Sequence, residues 1–233
     1  MAAGAMGKAY DATWGRAFAH FYDRALKATE DNGLREMRRA LLAEARGRVV
    51  EVGAGTGVNV DLYGGGIEDL TLVEPDPHMA AQLRRRLKAG EEGHGGTAGD
   101  GSHAPKHLVE APAESLPFAD DTFDTAVATL VLCTIPDPVA AIAELARVLK
   151  PGGRLLFIEH VRSDDPGLAR WQDRLEKPWR FLGDGCHCNR DTEATLGTSP
   201  FKVETIEHGK LPKAAPIVRP LIRGTAVLPE RPR

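Results

Sequence analysis

Val49-Val50-Glu51-Val52-Gly53-Ala54-Gly55-Thr56-Gly57-Val58-Asn59 is the stretch from which the rest of this 233-residue chain is read. Val49, Val50 and Val52 are β-branched and apolar, as a strand buried on both faces requires. Three alternating glycines follow. Each removes a Cβ where the backbone must turn sharply or approach a ligand closely. A helix starting near Val58 would then present bare amides carrying partial positive charge. The stretch predicts a strand, a glycine turn and a helix start that together cradle a small ligand with an anionic group. Alternating glycines also serve ordinary strand-to-helix turns, so the remainder of the chain has to decide the function.

Working outward, the upstream sequence predicts two helices. Tyr10 to Leu26 places Trp14, Phe18, Phe21 and Tyr22 at helical spacing, which suits either packing on the domain or a lid over the cleft. Leu34 to Ala45 repeats the pattern, with Leu34, Met37, Leu41 and Leu42 on one face and Arg35, Arg38 and Arg39 expected largely outside. Residues 1–46 are thus read as a helical cap or lid, and 47–233 as the ligand-binding domain.

Downstream, a short helix is expected over Val58 to Tyr63. The strand Leu70 to Val73 then ends in Glu74-Pro75-Asp76-Pro77. A carboxylate about 20 residues past the glycine turn is placed to accept from both hydroxyls of a ribose. Glu74 is the residue read in that role, and Asp76 the one that starts the next helix, with Pro77 in its first turn. Ala89 to Lys106, rich in glycine and carrying His94 and His103, reads as a surface insertion. Further strands are expected at His107 to Glu110, Phe123 to Ala128 and Arg154 to Ile158, with a helix over Pro138 to Leu149. Strand and helix alternate throughout, which predicts an α/β, doubly wound, mostly parallel sheet. Ligands of such sheets sit outside the carboxyl ends of the strands, here Gly53, Glu74, Glu110, Thr129 and Glu159-His160.

Bulk properties narrow the partners. A net charge of −3 leaves no basic footprint for nucleic acid. Met1 to Lys8 lacks the apolar core of a signal peptide, and no apolar run approaches the roughly 20 residues of a membrane helix. Three cysteines, an odd number, point to a reducing compartment. The expectation is a cytoplasmic monomer or homodimer that acts on a small molecule, with no nucleic acid and no membrane as partner.

Glu51-Val52-Gly53-Ala54-Gly55-Thr56-Gly57, Glu74-Pro75, Ala113-Glu114-Ser115-Leu116-Pro117-Phe118, Phe123-Asp124 and Leu149-Lys150-Pro151-Gly152-Gly153 occur in that order. Together they resemble the methyltransferase type 11 branch of class I S-adenosylmethionine (SAM) dependent methyltransferases, over roughly Arg48 to Val161. The resemblance implies a Rossmann-like sheet of seven strands whose last strand is antiparallel, with Lys202 to His208 and Leu221 to Val227 as the final two. A narrower similarity involves Thr129 to Cys133, Glu159-His160-Val161, Trp171-Gln172, Pro178-Trp179, Asp184-Gly185-Cys186 and Arg190. These look like the animal methyltransferase-like thiol S-methyltransferases and their bacterial relatives. The animal enzymes carry an N-terminal membrane anchor that this sequence does not show. Many type 11 enzymes also place an Asp where this chain has Pro112, which leaves the adenine contact to backbone groups around Ala113.

The cofactor implied is SAM, with S-adenosylhomocysteine as product. The expected cofactor-binding set is Glu51, Gly53, Ala54, Gly55, Gly57, Asn59, Glu74, Pro75, Met79, Ala113, Glu114, Thr129 and Leu130. Methyl transfer from a sulfonium is a single in-line displacement, so the protein must mainly align nucleophile and methyl carbon. A thiol acceptor, with a pKa near 8 to 9, needs at most a modest base. His160, Asp184 and His187 are the candidate catalytic residues, beside alternative roles as a strand cap (His160) and a turn (Asp184). Segment 165–200 is read as the acceptor pocket, with Trp171, Trp179 and Phe181 as candidate walls. Cys186-His187-Cys188 is poor zinc geometry, so no metal is expected, and Cys133 is read as a small apolar residue. Thiol S-methylation leads. O- or C-methylation of a phenolic or quinone-like metabolite, and a nicotinamide-dependent oxidoreductase on the same scaffold, remain as alternatives.

Overall fold

The computed structural model describes residues 15–93 and 104–231. In chain order the elements are α1 (Arg16–Thr29), a kinked π-turn (Glu30–Leu34), α2 (Arg35–Leu42), β1 (Gly47–Val52), β2 (Ile67–Val73), α3 (Pro77–Gly93), β3 (Lys106–Val109), β4 (Phe123–Thr129), α4 (Pro138–Val148), β5 (Leu149–His160), α5 (Pro166–Leu182), α6 (Thr192–Gly197), β6 (Lys202–Lys210), a 3₁₀ turn (Pro216–Val218) and β7 (Pro220–Val227). Trp14, His94 and His103, with most of the glycine-rich insertion, lie outside the described residues.

The strands form one sheet in the order β3-β2-β1-β4-β5-β7-β6. The pairs β1–β2, β1–β4, β2–β3 and β4–β5 are parallel, and β7 runs antiparallel to both β5 and β6. This is the expected doubly wound, seven-stranded α/β sheet. Successive strand residues face opposite sides of a sheet, so each strand feeds two cores. Val50, Val52, Leu155 and Phe157 pack with Ile142, Leu145 and Val148 of α4 on one face. Val49, Leu156 and Ile158 pack with Leu41 and Leu42 of α2 and Leu83 of α3 on the other. The strand order reverses direction between β1 and β4, and that switch point opens the crevice described below.

Two local expectations are corrected. No helix follows the glycine turn: Gly57, Val60 and Leu62 donate their N–H groups to the carbonyls of Ala54, Gly57 and Asn59, three residues back, so a chain of tight turns leads to β2. Val58 and Val60 are β-branched, and Asn59 spends its side chain on Glu51, both unfavourable to a helix. The second correction is Arg38, which is only 2 % exposed. It lies one turn from Leu34 and from Leu41–Leu42, so its helix face is the buried one. Its guanidinium donates to Glu30 Oε1 (3.1 Å), Asn59 Oδ1 (3.1 Å) and Thr129 Oγ1 (2.6 Å). Asn59 Nδ2 in turn donates to Glu51 Oε1 (2.8 Å) and Thr129 Oγ1 (2.9 Å), and the Tyr63 hydroxyl donates to Glu51 Oε2 (2.7 Å).

Removing one member of such a network strands the others without water. Arg38→Met is therefore expected to lower unfolding free energy by about 3 kcal/mol in urea titration, as for a buried ion pair that loses one partner. Arg35→Met, on the exposed face of the same helix, should change it by less than about 0.5 kcal/mol.

Candidate active site

The carboxyl ends of β1, β2, β4 and β5 open into one cavity of about 810 Å³. Gly53 and Gly55 form its floor at positive φ (61° and 57°). A Cβ on Gly53 would stand 2.0 Å from Val131 Cγ2, so the turn after β1 packs directly on the turn after β4. A Cβ on Gly55 would meet nothing within 4 Å, which leaves that backbone open to a ligand. The Gly55 N–H donates to Glu74 Oε2 at 2.7 Å, and Asp76 N–H donates to Glu74 Oε1 at 2.9 Å. Glu74 is thus fixed at the end of β2. Burial pushes its carboxyl up to about 7, against the pull of the Asp76 and Gly55 donors, and the charge of Asp184 adds to the upward push.

Nine of the expected cofactor residues line this cavity: Gly53, Gly55, Glu74, Pro75, Met79, Ala113, Glu114, Thr129 and Leu130. Glu51, Ala54, Gly57 and Asn59 stand behind the wall. Glu51 and Asn59 hold Thr129 and the glycine turn from beneath, and a Cβ on Gly57 would lie 2.5 Å from Leu83 Cδ1, so that glycine admits α3. Phe18, Tyr22 and Leu26 of α1 line the opposite side, as a lid would. Leu130 adopts φ 56°, costly for a side chain by about 1 kcal/mol. It is held there because its N–H bonds Ile158 O, while Val131 and Leu132 N–H both donate to Glu159 Oε1 at 3.0 Å.

The other end of the cavity is built from Cys133, His160, Trp179, Asp184 and Cys186. Asp184 (φ 49°) and Gly185 (φ 90°) turn the chain so that Cys186 points inward. The segment is pinned by His187 N–H to Cys133 O (2.9 Å) and by Arg190 Nη1 to the carbonyls of Leu132 and Ile135 (both 2.6 Å). Gln172 donates to the carbonyls of Val161, Cys188 and Ile217 behind it. Cys186 Sγ lies 3.2 Å from His160 Nε2 and accepts from Trp179 Nε1–H at 3.2 Å.

These contacts set the protonation. A hydrogen bond from Cys133, with His160 and Trp179 adding, pulls the Cys186 thiol down to about 4 despite burial. Burial alone would lower His160, but its bond to Cys186 and the nearby negative charges raise it overall. The neighbouring Cys186 sulfur, with burial, pushes the Cys133 thiol well up, and the Cys133 S–H donates to Leu130 O at 3.8 Å. The two shifts across the Cys186–His160 pair run toward each other, with the Cys186 thiol drawn down and the His160 imidazole drawn up across a 3.2 Å contact.

Several expectations change here. His187 does not line the cavity; its Nδ1 sits 3.0 Å from Glu176 Oε1. Trp171 and Phe181 are 56 % and 57 % exposed and are not walls, whereas Trp179 is. Cys133 is more than filler, and Cys186 is paired with Cys133 and His160, not with Cys188, whose Sγ–H donates to Gln172 O. No local spacing signals a partnership across 53 residues of sequence; only the convergence of β4 and β5 ends does.

The residues fit a nucleoside-bearing cofactor: paired acceptor oxygens on Glu74 for a ribose, open backbone at Gly55, and apolar Met79, Pro112 and Ala113 for a flat base. Comparison with known proteins agrees. Residues 50–157 match the family described as "Methyltransferase domain". Thiol S-methyltransferase TMT1B of Rattus norvegicus is 34 % identical over 180 residues, covering 77 % of this chain and 70 % of that protein. Thiol S-methyltransferase TMT1A of Homo sapiens is 32 % identical over the same length and shares. A SAM-dependent methyltransferase from Thermotoga maritima, 21 % identical, superposes with a TM-score of 0.63 over 91 % of this chain and 96 % of that one. SAM is the cofactor.

Ribose hydroxyls donate to a carboxylate better than to a carboxylic acid, so binding favours ionised Glu74. Below its value of about 7 the free protein must release a proton on binding. Calorimetric affinity for S-adenosylhomocysteine is expected to fall by up to about tenfold per pH unit from pH 7 to pH 6, as proton linkage requires. Glu74→Gln should bind more weakly and lose that dependence.

Proposed function

This chain belongs to the SAM-dependent methyltransferase family, and from that premise we propose that it methylates the sulfur of a small thiol. The observation that carries the reading is the inner end of the cleft, where an indole N–H of Trp179 and the imidazole of His160 flank the Cys186 sulfur at 3.2 Å each. A cation-forming imidazole and an N–H donor beside one sulfur are the kind of partners that would stabilise a thiolate brought to the same end of the cleft. The thiol S-methyltransferase relatives support the same acceptor atom.

SAM supplies an electrophilic methyl on a sulfonium, with a neutral thioether as leaving group. The chain's own residues do the rest. Glu74 and the Gly53–Gly55 backbone anchor the cofactor at one end, and the pinned segment Gly183–Arg190 sets where an acceptor can reach, so that sulfur and methyl carbon meet in line. His160, expected as a base, faces Cys186 Sγ at 3.2 Å and has its pKa drawn upward, which favours the protonated ring. Its role in this reading is electrostatic: the imidazolium stabilises an incoming thiolate whose own acidity lies near 8 to 9. Asp184 lines the same cavity on its strained turn and borders the acceptor. Trp179 supplies an apolar wall with one donor.

Labelled SAM offered with a panel of small alkyl and aryl thiols and matched phenols tests the proposal. Methyl transfer to thiols is expected, with phenols slower by orders of magnitude. Transfer to phenols or quinone-like compounds alone would overturn it in favour of O- or C-methylation. His160→Ala is expected to lower kcat for the thiol by about a hundredfold, the loss typical of one electrostatic donor, with S-adenosylhomocysteine affinity unchanged.

A further inference from the structure

We propose that Cys133, His160 and Cys186 form a binding site for a soft metal cation, zinc above all, whose fourth position faces the cleft and takes the sulfur of the thiol acceptor. This rests on the thiol reading above as to the acceptor atom; with the metal bound, His160 is a neutral ligand and the dication takes over from an imidazolium the task of stabilising the acceptor thiolate.

The three donor atoms all lie within 4.8 Å of one another. Tetrahedral zinc with bonds of about 2.0–2.3 Å sets its donors roughly 3.5–3.8 Å apart, so a small inward movement of the side chains suffices. Two thiols and one imidazole are a donor set that selects zinc or cuprous copper over magnesium and calcium, which want oxygen. Structural zinc sites are closed by four protein ligands; a site with three and an open side is the arrangement used for chemistry. Here the open side is the cavity, which all three residues line although each is no more than 7 % exposed.

The framework is already rigid. Cys133 follows β4, His160 ends β5 and Cys186 follows α5, and the three segments are tied by His187 N–H to Cys133 O and by Arg190 to the Leu132 and Ile135 carbonyls. Trp179 Nε1–H donates to Cys186 Sγ from outside the cluster, the position from which a neighbour tunes a ligating sulfur. Charge closes as well. A dication displaces the thiol protons on binding, and two thiolates neutralise it.

The step balances. The acceptor's S–H proton goes to water and a sulfur–metal bond forms. A sulfur lone pair then attacks the methyl carbon as the carbon–sulfonium bond breaks, its electron pair leaving with the neutral thioether. The methylated product, itself a thioether, is a weak ligand and departs, which frees the fourth position.

The test is titration of the reduced full-length protein with cobalt(II), a coloured stand-in for zinc. One equivalent is expected to produce an intense sulfur-to-cobalt absorption that zinc abolishes, that Cys133→Ser and Cys186→Ser lose, that Cys188→Ser keeps, and that an accepted thiol shifts. No such band in the wild type, an equal band in Cys186→Ser, or a band indifferent to thiols overturns the proposal. A measurement free of variants runs beside it: zinc should slow iodoacetamide labelling of Cys186 several-fold, mapped by mass spectrometry, and equal rates with and without zinc speak against the site. Methylation assays separate the two readings. Thiols methylated at an unchanged rate by chelator-stripped protein remove the metal's role and leave S-methylation standing. A cobalt band in a protein that methylates phenols and no thiol removes S-methylation and leaves the metal site.

Discussion

A buried arginine is the constraint on which the cleft depends. Arg38 leaves α2, crosses beneath the glycine turn and reaches Asn59 and Thr129, the first after β1 and the second at the end of β4. Those two strand ends flank the switch point of the sheet. Glu51 completes the arrangement with Asn59 and Tyr63, so the negative charge of one strand and the positive charge of the N-terminal helices share a set of amide and hydroxyl groups. Buried charges persist only when such partners are supplied. The floor of the cofactor site is therefore set from below by polar groups, and the glycines above it are free to present bare backbone.

The two ends of the cavity handle charge in opposite ways. At the Glu74 end a carboxylate is held near neutrality by burial and is ready to ionise when hydroxyl donors arrive. At the Cys186 end three neighbours draw a thiol down to about 4, against burial. A sulfonium placed between them has carboxylate on one flank and sulfur on the other. Leu130, in its left-handed conformation, lines the same cavity, and Glu159 clamps the residues that follow it.

The fold was largely legible because its signals are local. Val49 to Gly57 announces a strand and its turn, Glu74 follows at the right interval, and alternation of strand with helix carries the rest. Where the reading failed, the cause was non-local. A helix over Val58 to Tyr63 lost to Asn59, whose side chain serves Glu51 instead of solvent. Arg38 was assigned outside because arginine usually is, and only the fold reveals that Thr129 and Asn59 await it. His187 reads as a catalytic candidate, yet the left-handed residues Asp184 and Gly185 turn its neighbour Cys186 inward and leave His187 on Glu176. The Cys133–His160–Cys186 grouping has no signature along the chain at all.

The helix over the cleft has an unfinished underside. Within α1 only Ala19 and Thr29 are buried, while Phe18, Tyr22 and Leu26 look into the cavity. Its attachments are polar: Asp23 accepts from Thr56 Oγ1 and pairs with Arg86, and Gln82 donates to Ala19 O. By contrast, Phe18 and Tyr22 are half-buried, lie against each other with ring centroids 5.4 Å apart, and line the cavity. A ligand seated in the cavity would extend the apolar surface that this helix covers, so binding should add to the hold on α1 that its polar contacts already provide.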